Sequence, residues 1–266
     1  MPARYWGDLK TTDFDRLDPA TTVAVLPLAA IEQHGPHLPV STDTSIMQGM
    51  IETAFPLVGP KVTALFLPIE AVAKSNEHLH SKGTLTLSAE TVLRGWIEIG
   101  ESVKRAGIDK IVLLTSHGGN LDPMRVVARE LRIRFRQLAV VTSWTAFGRP
   151  PGLYGDLDIK HGIHGGDVET SLMLHFRPEL VDMAEAKLFE PVMVSMEKEF
   201  TYLRPTVNHA FGWMAQDIHP HGAAGDASLA TAEKGRATAA YQAAEFVKLL
   251  DDMARFDTGR LWAPPA

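Results

Sequence analysis

The chain has 266 residues, a formal net charge of −6 and no cysteine. Without cysteine there is no disulfide scaffold, no thiolate nucleophile and no cysteine-ligated zinc, so any metal site must use His, Asp and Glu. The negative balance argues against nucleic-acid or anionic-membrane partners, and no apolar run approaches the ~20 residues a spanning helix needs.

Residues 22–28, Thr-Val-Ala-Val-Leu-Pro-Leu, read as an apolar strand. The run Ile31-Glu32-Gln33-His34-Gly35-Pro36-His37-Leu38-Pro39 follows, and then Ser41-Thr42-Asp43. Glu32 and His34 are two apart, so on extended backbone their side chains leave the same face. A carboxylate beside an imidazole suits Zn²⁺, Mn²⁺ or Fe²⁺, although a Glu and a His at a strand end also cap turns. Residues 43–56 read as a helix with Ile46, Met47, Met50, Ile51 and Phe55 inward and Thr42 or Asp43 as its cap. Residues 62–69 read as a second strand. Residues 88–106 read as a long helix, capped by Ser88, with Glu90 in its first turn and Gly107 at its end.

Residues 110–115 are a continuous, β-branched run of the buried-strand kind. That strand ends in Thr115-Ser116-His117-Gly118-Gly119-Asn120, whose two glycines allow a tight turn into a helix over 121–135, with Asn120 as its cap. Taken alone, this is a strand-to-helix turn with a rim histidine. Residues 138–144 read as a further strand. The cluster His161-Gly162-Ile163-His164-Gly165-Gly166-Asp167-Val168-Glu169 leads into a helix over 168–176, with Val168, Leu172 and Phe176 on one stripe. Glu169 falls in the first turn, where the helix dipole favours a negative charge. Residues 190–218 are irregular, fitting a lid or a subunit contact, and 230–256 read as a long terminal helix. This alternation predicts an α/β fold with a mostly parallel sheet covered by helices on both sides. Ligands in such a sheet collect beyond the carboxyl ends of its strands.

Three His/acid clusters, each at a loop beside an apolar element, make a chemically sensible set in Glu32, His34, Asp43, His117 and Glu169. Two divalent ions about 3.5 Å apart need a bridging carboxylate, and Asp43 is the natural bridge. A water or hydroxide between such ions becomes a nucleophile near neutral pH. His164 is placed to shuttle a proton to a leaving nitrogen. No Gly-x-Gly-x-x-Gly follows any strand and no Walker-type loop exists, which disfavours nucleotide binding.

In order along the chain, Glu-Gln-His-Gly-Pro-His-Leu-Pro, an Asp, Ser-His-Gly-Gly-Asn and His-Gly-Gly-x-x-Glu-Thr-Ser resemble the creatininase family. Ser75-Asn76-Glu77-His78 with Gly83-Thr84-Leu85-Thr86, and Gly225-Asp226 with Ala232-Glu233-Lys234-Gly235, support the match. The resemblance implies a three-layer α/β/α sandwich and two divalent ions per chain, Zn²⁺ or Mn²⁺ with Fe²⁺ as a further option. It implies hydrolysis of a non-peptide C–N bond in a small molecule, a cyclic amide or a formamide. It also implies a homo-oligomer, commonly a hexamer. By position, Glu32, His34, Asp43, His117 and Glu169 would hold the metals and His164 would move the proton.

Family members that open creatinine carry a tyrosine and an acid directly after the histidine of the third-strand motif. Here those positions are Gly118 and Gly119. They also carry a tryptophan and an aspartate shortly before the equivalent of His164, where this chain has Lys160 and His161. Both differences fall where substrate would be gripped, so creatinine is not the expected substrate. Other members deformylate a pyrimidine intermediate, cleave a peptide in redox-cofactor maturation or open cyclic sugar-derived compounds. Ser75 is expected by analogy to contact substrate, with a plain turn residue as the alternative. His78 and His80 read as surface histidines, with rim residues as the alternative, and His219-Pro220-His221-Gly222 as a loop, with a lining of the site from this segment or from a neighbouring subunit as the alternative. With no linker or repeat, residues 1–266 are expected to form one domain. The first residues lack the apolar core of a signal peptide, so a cytoplasmic location is expected. The rival expectation is a non-catalytic metal- or ligand-binding protein on the same fold.

Overall fold

The computed structural model describes residues 3–261. The chain runs β1 (Ala3–Tyr5), α1 (Thr11–Phe14), β2 (Thr22–Leu28), α2 (Thr42–Ala54), β3 (Thr63–Phe66), α3 (Ala89–Arg105), β4 (Lys110–Thr115), α4 (Leu121–Phe135) and β5 (Leu138–Ser143). It continues through α5 (Asp156–Lys160), α6 (Asp167–Phe176), β6 (Leu188–Phe189), α7 (Met193–Glu199), α8 (Ala215–Ile218), β7 (Gly225–Asp226) and α9 (Ala232–Arg255), with short 3-10 turns between. Strands β1 to β5 form one parallel sheet in the order β1-β3-β2-β4-β5. Strands β6 and β7 make a small antiparallel pair.

The central strands are buried on both faces, and their side chains divide by the two-residue period of extended backbone. Ala24, Leu26 and Leu28 of β2, with Ile111 and Leu113 of β4, pack on one side with Val92, Trp96 and Val103 of α3 and Met124, Val127 and Leu131 of α4. Val23 and Val25, with Val112 and Leu114, face the other side, where α2, α6 and α9 contribute Met47, Leu172 and Phe246. The result is the expected three-layer α/β/α sandwich.

The helices and strands fall where apolar periodicity places them, with boundaries shifted by a few residues. Ser88 caps α3 by accepting from the Thr91 N–H, and Gly107 follows that helix at φ +82°. Two caps differ from expectation. Helix α2 has Ser41 at its N-cap position with no side-chain cap bond. The Thr42 hydroxyl donates instead to Pro39 O at 2.7 Å, and the Asp43 carboxylate turns inward. Asn120 stands at the N-cap of α4 but also turns inward, donating to Ala29 O at 3.0 Å. Phe55 is only half-buried, stacked on Tyr5 of the short edge strand β1. The stretch 190–218 is irregular except for α7 and α8.

Helices α6 and α9 approach so closely that a Cβ at Gly235 would fall on the Ser171 carbonyl. Gly95, on the exposed flank of α3, has nothing within 4 Å of the corresponding position. Gly235→Ala should therefore lose about 2–4 kcal/mol of stability, whereas Gly95→Ala should gain about 0.5–1 kcal/mol by rigidifying the unfolded chain. Urea unfolding of both variants checks the opposite signs.

Candidate metal centre

Strand β2 runs into the loop that carries Glu32 and His34, and β4, its neighbour in the sheet, ends just before His117. The connection after β2 leads to β3 on one side, and that after β4 leads to β5 on the other. The crevice between their carboxyl ends is thus the topological switch point, where open parallel sheets bind ligands. Asp43 enters from the first turn of α2 and Glu169 from the first turn of α6. The five acids and imidazoles expected from the sequence converge there.

Two triads share Asp43. Glu32, Asp43 and His117 bring one donor atom each within 4.8 Å of one another, and so do His34, Asp43 and Glu169. His117 Nδ1 lies 3.1 Å from Glu32 Oε1 and 3.5 Å from Asp43 Oδ2. His34 Nε2 lies 3.6 Å from Asp43 Oδ1 and 3.9 Å from Glu169 Oε2. His164 forms a further set with Glu32 and His34, its Nδ1 3.6 Å from Glu32.

Each of three rings spends one nitrogen on a backbone carbonyl and thereby turns the other toward the cluster. His34 Nδ1 donates to Glu32 O at 3.1 Å, His117 Nε2 to Lys74 O at 3.0 Å and His164 Nε2 to Gln33 O at 2.6 Å. A carbonyl only accepts, so the bonded nitrogen carries a proton, and the facing nitrogen is the one that can serve as a ligand or base once its own proton is gone. The loops are pinned accordingly. The backbone of His164 pairs with Ala224, and Gly165 N–H donates to Glu169 Oε2 at 2.6 Å. The buried Asp158 carboxylate accepts from the Asp167 and Asp226 N–H groups at 2.9 and 3.0 Å.

The electrostatics suit a cation. Glu32 Oε1, His34 Nε2 and Asp43 Oδ2 are all buried and lack a hydrogen-bond partner among the described residues. Orphaned polar atoms are costly in a low-dielectric interior, and three at one point fit an oxygen- and nitrogen-ligated divalent ion. Burial alone would raise the Glu32 carboxyl, but His117, His78 and His164 hold it well below the usual carboxylate range. Burial would depress His34, but Asp43, Glu169 and Glu32 push it up to about 9, and His117 is raised for the same reason by Glu32, Glu77 and Asp43. Asp43 is raised by burial, only partly offset by His34. Glu169 is raised to about 7 by burial and by Asp43 and Glu32, against the pull of His34. Burial with His34 and His78 nearby holds His164 well below the ordinary histidine value, and burial takes His78 down to about 4.

The remaining expected site residues fall differently. Ser75 is fully buried and its hydroxyl donates to Glu32 Oε2, which places it behind that carboxylate and outside the adjoining cavity. Gly118 lines that cavity, of about 220 Å³, together with Ser116, His117, His164 and Glu169. Gly119 does not line it, and a Cβ there would fall on Glu77 and His117. His80 is exposed as expected, but His78 is buried, with Nε2 3.4 Å from Glu32 Oε1 and Nδ1 2.8 Å from Gln33 Nε2. His78, Glu77 and Gln33 are site residues that the sequence reading passed over. A usable signal existed: they follow β3 or β2, and the carboxyl-end rule applies to both strands. His219 and His221 stack on each other and edge onto Phe189 in a loop, and the Gly222 carbonyl of that loop accepts from Gln33 Nε2.

The family model for creatininase, described as creatinine amidohydrolase, matches residues 7–250. A mycofactocin precursor peptide peptidase from Mycobacterium ulcerans is 30% identical over 251 residues, 92% of this chain and 88% of that protein. Among solved structures, a candidate creatinine amidohydrolase from Bacteroides fragilis shares the fold with a TM-score of 0.75 at 23% identity, covering 95% of this chain and 97% of its own. A structure described as creatininase with Mn matches with a TM-score of 0.70 at 26% identity, covering 93% and 97%.

A metal taking His34 Nε2 must displace a proton held up to about pH 9. Below that pH the ion competes with the proton, so apparent metal affinity should rise with pH up to about 9 and then level off. Calorimetric titration of chelator-stripped protein with Zn²⁺ at about pH 6 and about pH 8 should show tighter binding at the higher pH, with protons released. Equal affinity without proton release would mean His34 is not a ligand.

Proposed function

Because the chain belongs to the creatininase family, we propose that it is a metal-dependent amidohydrolase cleaving a non-peptide C–N bond in a small molecule. The observation that carries this reading is the pair of buried triads sharing Asp43, with orphaned ligand atoms at their centre. In the proposed arrangement Glu32, Asp43 and His117 hold one divalent ion, and His34, Asp43 and Glu169 hold the other. Zn²⁺ and Mn²⁺ both suit such a donor set, as does Fe²⁺. Two ions bound there would supply Lewis acidity and ease deprotonation of a water at neutral pH.

The chain's own residues supply the rest. Glu32 is fixed by Ser75 and His78, and His117 by the Lys74 carbonyl, so the donors are set before substrate arrives. His164 keeps its Nε2 proton on Gln33 O and presents Nδ1 to the cluster. That nitrogen takes a proton from the attacking water and passes it to the departing nitrogen as the C–N bond breaks, leaving a carboxylic acid and an amine. Ser75 is proposed to position Glu32 rather than to touch substrate. Creatinine is not the proposed substrate, since Gly118 and Gly119 offer no side chain to grip its ring. The working unit is proposed to be a homo-oligomer, with a hexamer as the expected size. Among the described residues no helix is long and apolar enough to cross a membrane.

The likeness to a mycofactocin precursor peptide peptidase favours a second reading, cleavage of a short peptide. A panel of cyclic amides, formamides and short peptides separates the two. A non-catalytic metal-binding protein would retain its ions and hydrolyse none of them.

Plasma mass spectrometry on protein purified without chelator or His-tag should find about two divalent ions per wild-type chain, and fewer in His117→Ala and Asp43→Asn. His164→Gln should retain the metals while losing about 10²–10⁴-fold in kcat on whichever amide is turned over. No metal, and none taken up from added Zn²⁺ or Mn²⁺, would defeat the reading.

A further inference from the structure

The cavity beside the cluster is lined by His117, His164 and Glu169 of the cluster and also by Trp144, Arg149 and Gln242. Arg149 follows Gly148, which closes the turn after β5 at φ +82°, so it too stands at the carboxyl edge of the sheet. Its Nε is buried with no hydrogen-bond partner, and no ion pair to Arg149 is found among the described residues. Gln242 of α9 is 1% exposed. Its Nε2 donates to Gly148 O at 2.9 Å, which fixes the amide orientation, and its Oε1 is left buried without a donor.

We propose that the part of the cavity wall formed by Arg149 and Gln242 is an oxyanion-reading substrate site, in which Arg149 binds a carboxylate or phosphate and Gln242 Oε1 accepts an N–H from the same molecule. The inference rests on the hydrolase reading for the role of the cluster that shares this cavity.

A guanidinium stays charged at any physiological pH, and although Arg149 is only half-buried, leaving its Nε donor buried and unpaired is costly. A structural arginine resolves this with a nearby carboxylate. Here the only acid lining the cavity is Glu169, which belongs to the metal cluster. The unpaired donor and the unpaired acceptor therefore wait on a group from outside. Their combination, a planar cationic fork beside an amide acceptor, matches a molecule with an oxyanion near an amide N–H. An N-acyl amino acid is the simplest such compound. Its acyl C–N bond would face the cluster while its carboxylate meets Arg149. A neutral ring such as creatinine offers Arg149 a carbonyl oxygen but no oxyanion, so the same pair would disfavour it against an anionic substrate.

The test is calorimetric titration of the metal-loaded protein with N-formylglycine and with its neutral counterpart N-formylglycinamide. Inorganic phosphate serves as a competitor in a second arm. The acid should bind at least about tenfold more tightly than the glycinamide, the difference of roughly one charge-assisted hydrogen bond. That preference should vanish in Arg149→Gln and partly return in Arg149→Lys, which keeps the charge and guards against a folding defect in the first variant. Displacement by phosphate would extend the site to phosphates, and its absence would confine it to carboxylates. Equal binding of acid and glycinamide, no measurable binding of the acid, or a preference that survives Arg149→Gln would overturn the proposal. Metal content of the same samples keeps the two readings apart. Two ions without an acid preference would sink the oxyanion site alone, whereas an acid preference in a protein that takes up no metal would keep it and sink the hydrolase.

Discussion

Carboxylates that converge where water is excluded repel one another and lose their hydration, and this constraint organises the structure. Glu32 and Asp43 are almost wholly buried within reach of the same imidazoles, and Glu169 completes the set. Such a cluster persists only if positive charge sits among the oxygens. The acids around His34 and His117 raise the pKa of both imidazoles, which offsets part of the repulsion. Glu32 Oε1 and Asp43 Oδ2 still lack a hydrogen-bond partner among the described residues, which suits a divalent cation.

The scaffold is arranged to hold this geometry rather than to adapt to it. Strands β2 and β4 pair in register up to Leu28 and Thr115, so the chain leaves both at one level of the rim. The connection 161–166 between α5 and α6, which carries His164, is held from several sides. Asp158 gathers the N–H groups of Asp167 and Asp226, His164 pairs with Ala224, and Lys234 closes the far side by its ion pair with Asp167. Close helix contact at Gly235 lets α9 press α6, and with it Glu169, toward the sheet. Stability of the sandwich and precision of the cluster are therefore coupled through the same few contacts.

The parts of this arrangement that were legible in the sequence are those with a local signature. Strands such as Lys110–Thr115 announce themselves by continuous burial, and Ser88 by its place before an amphipathic run. Glu32, His34, Asp43, His117 and Glu169 were legible because each sits at the end of a recognisable element. His78 and Glu77 lie in a 3-10 turn well after β3, with no period to reveal their burial, and His78 reads there as a surface residue. Ser75 was read as facing substrate because sequence order cannot say on which side of a carboxylate a hydroxyl falls. Thr42 and Asn120 have the composition of caps but bond elsewhere, Thr42 to the Pro39 carbonyl of the preceding turn and Asn120 to the distant Ala29 carbonyl. Arg149 and Gln242 carry no pattern at all. Their meaning lies in what they fail to meet, and only coordinates show an unmet partner.

The glycines after His117 show how one change in a motif can be answered elsewhere. A side chain at Gly119 would occupy the room now filled by Glu77, whose carboxylate lies 3.4 Å from His117 Nε2. An acid thus braces that histidine from the turn after β3. At Gly118 nothing takes the missing side chain's place, and a Cβ there would meet nothing within 4 Å. The histidine keeps its brace while the cavity wall beside it is left open, along the same cavity that reaches Arg149. Retained electrostatics at the cluster with altered shape at the wall is what a change of substrate on a constant chemistry requires.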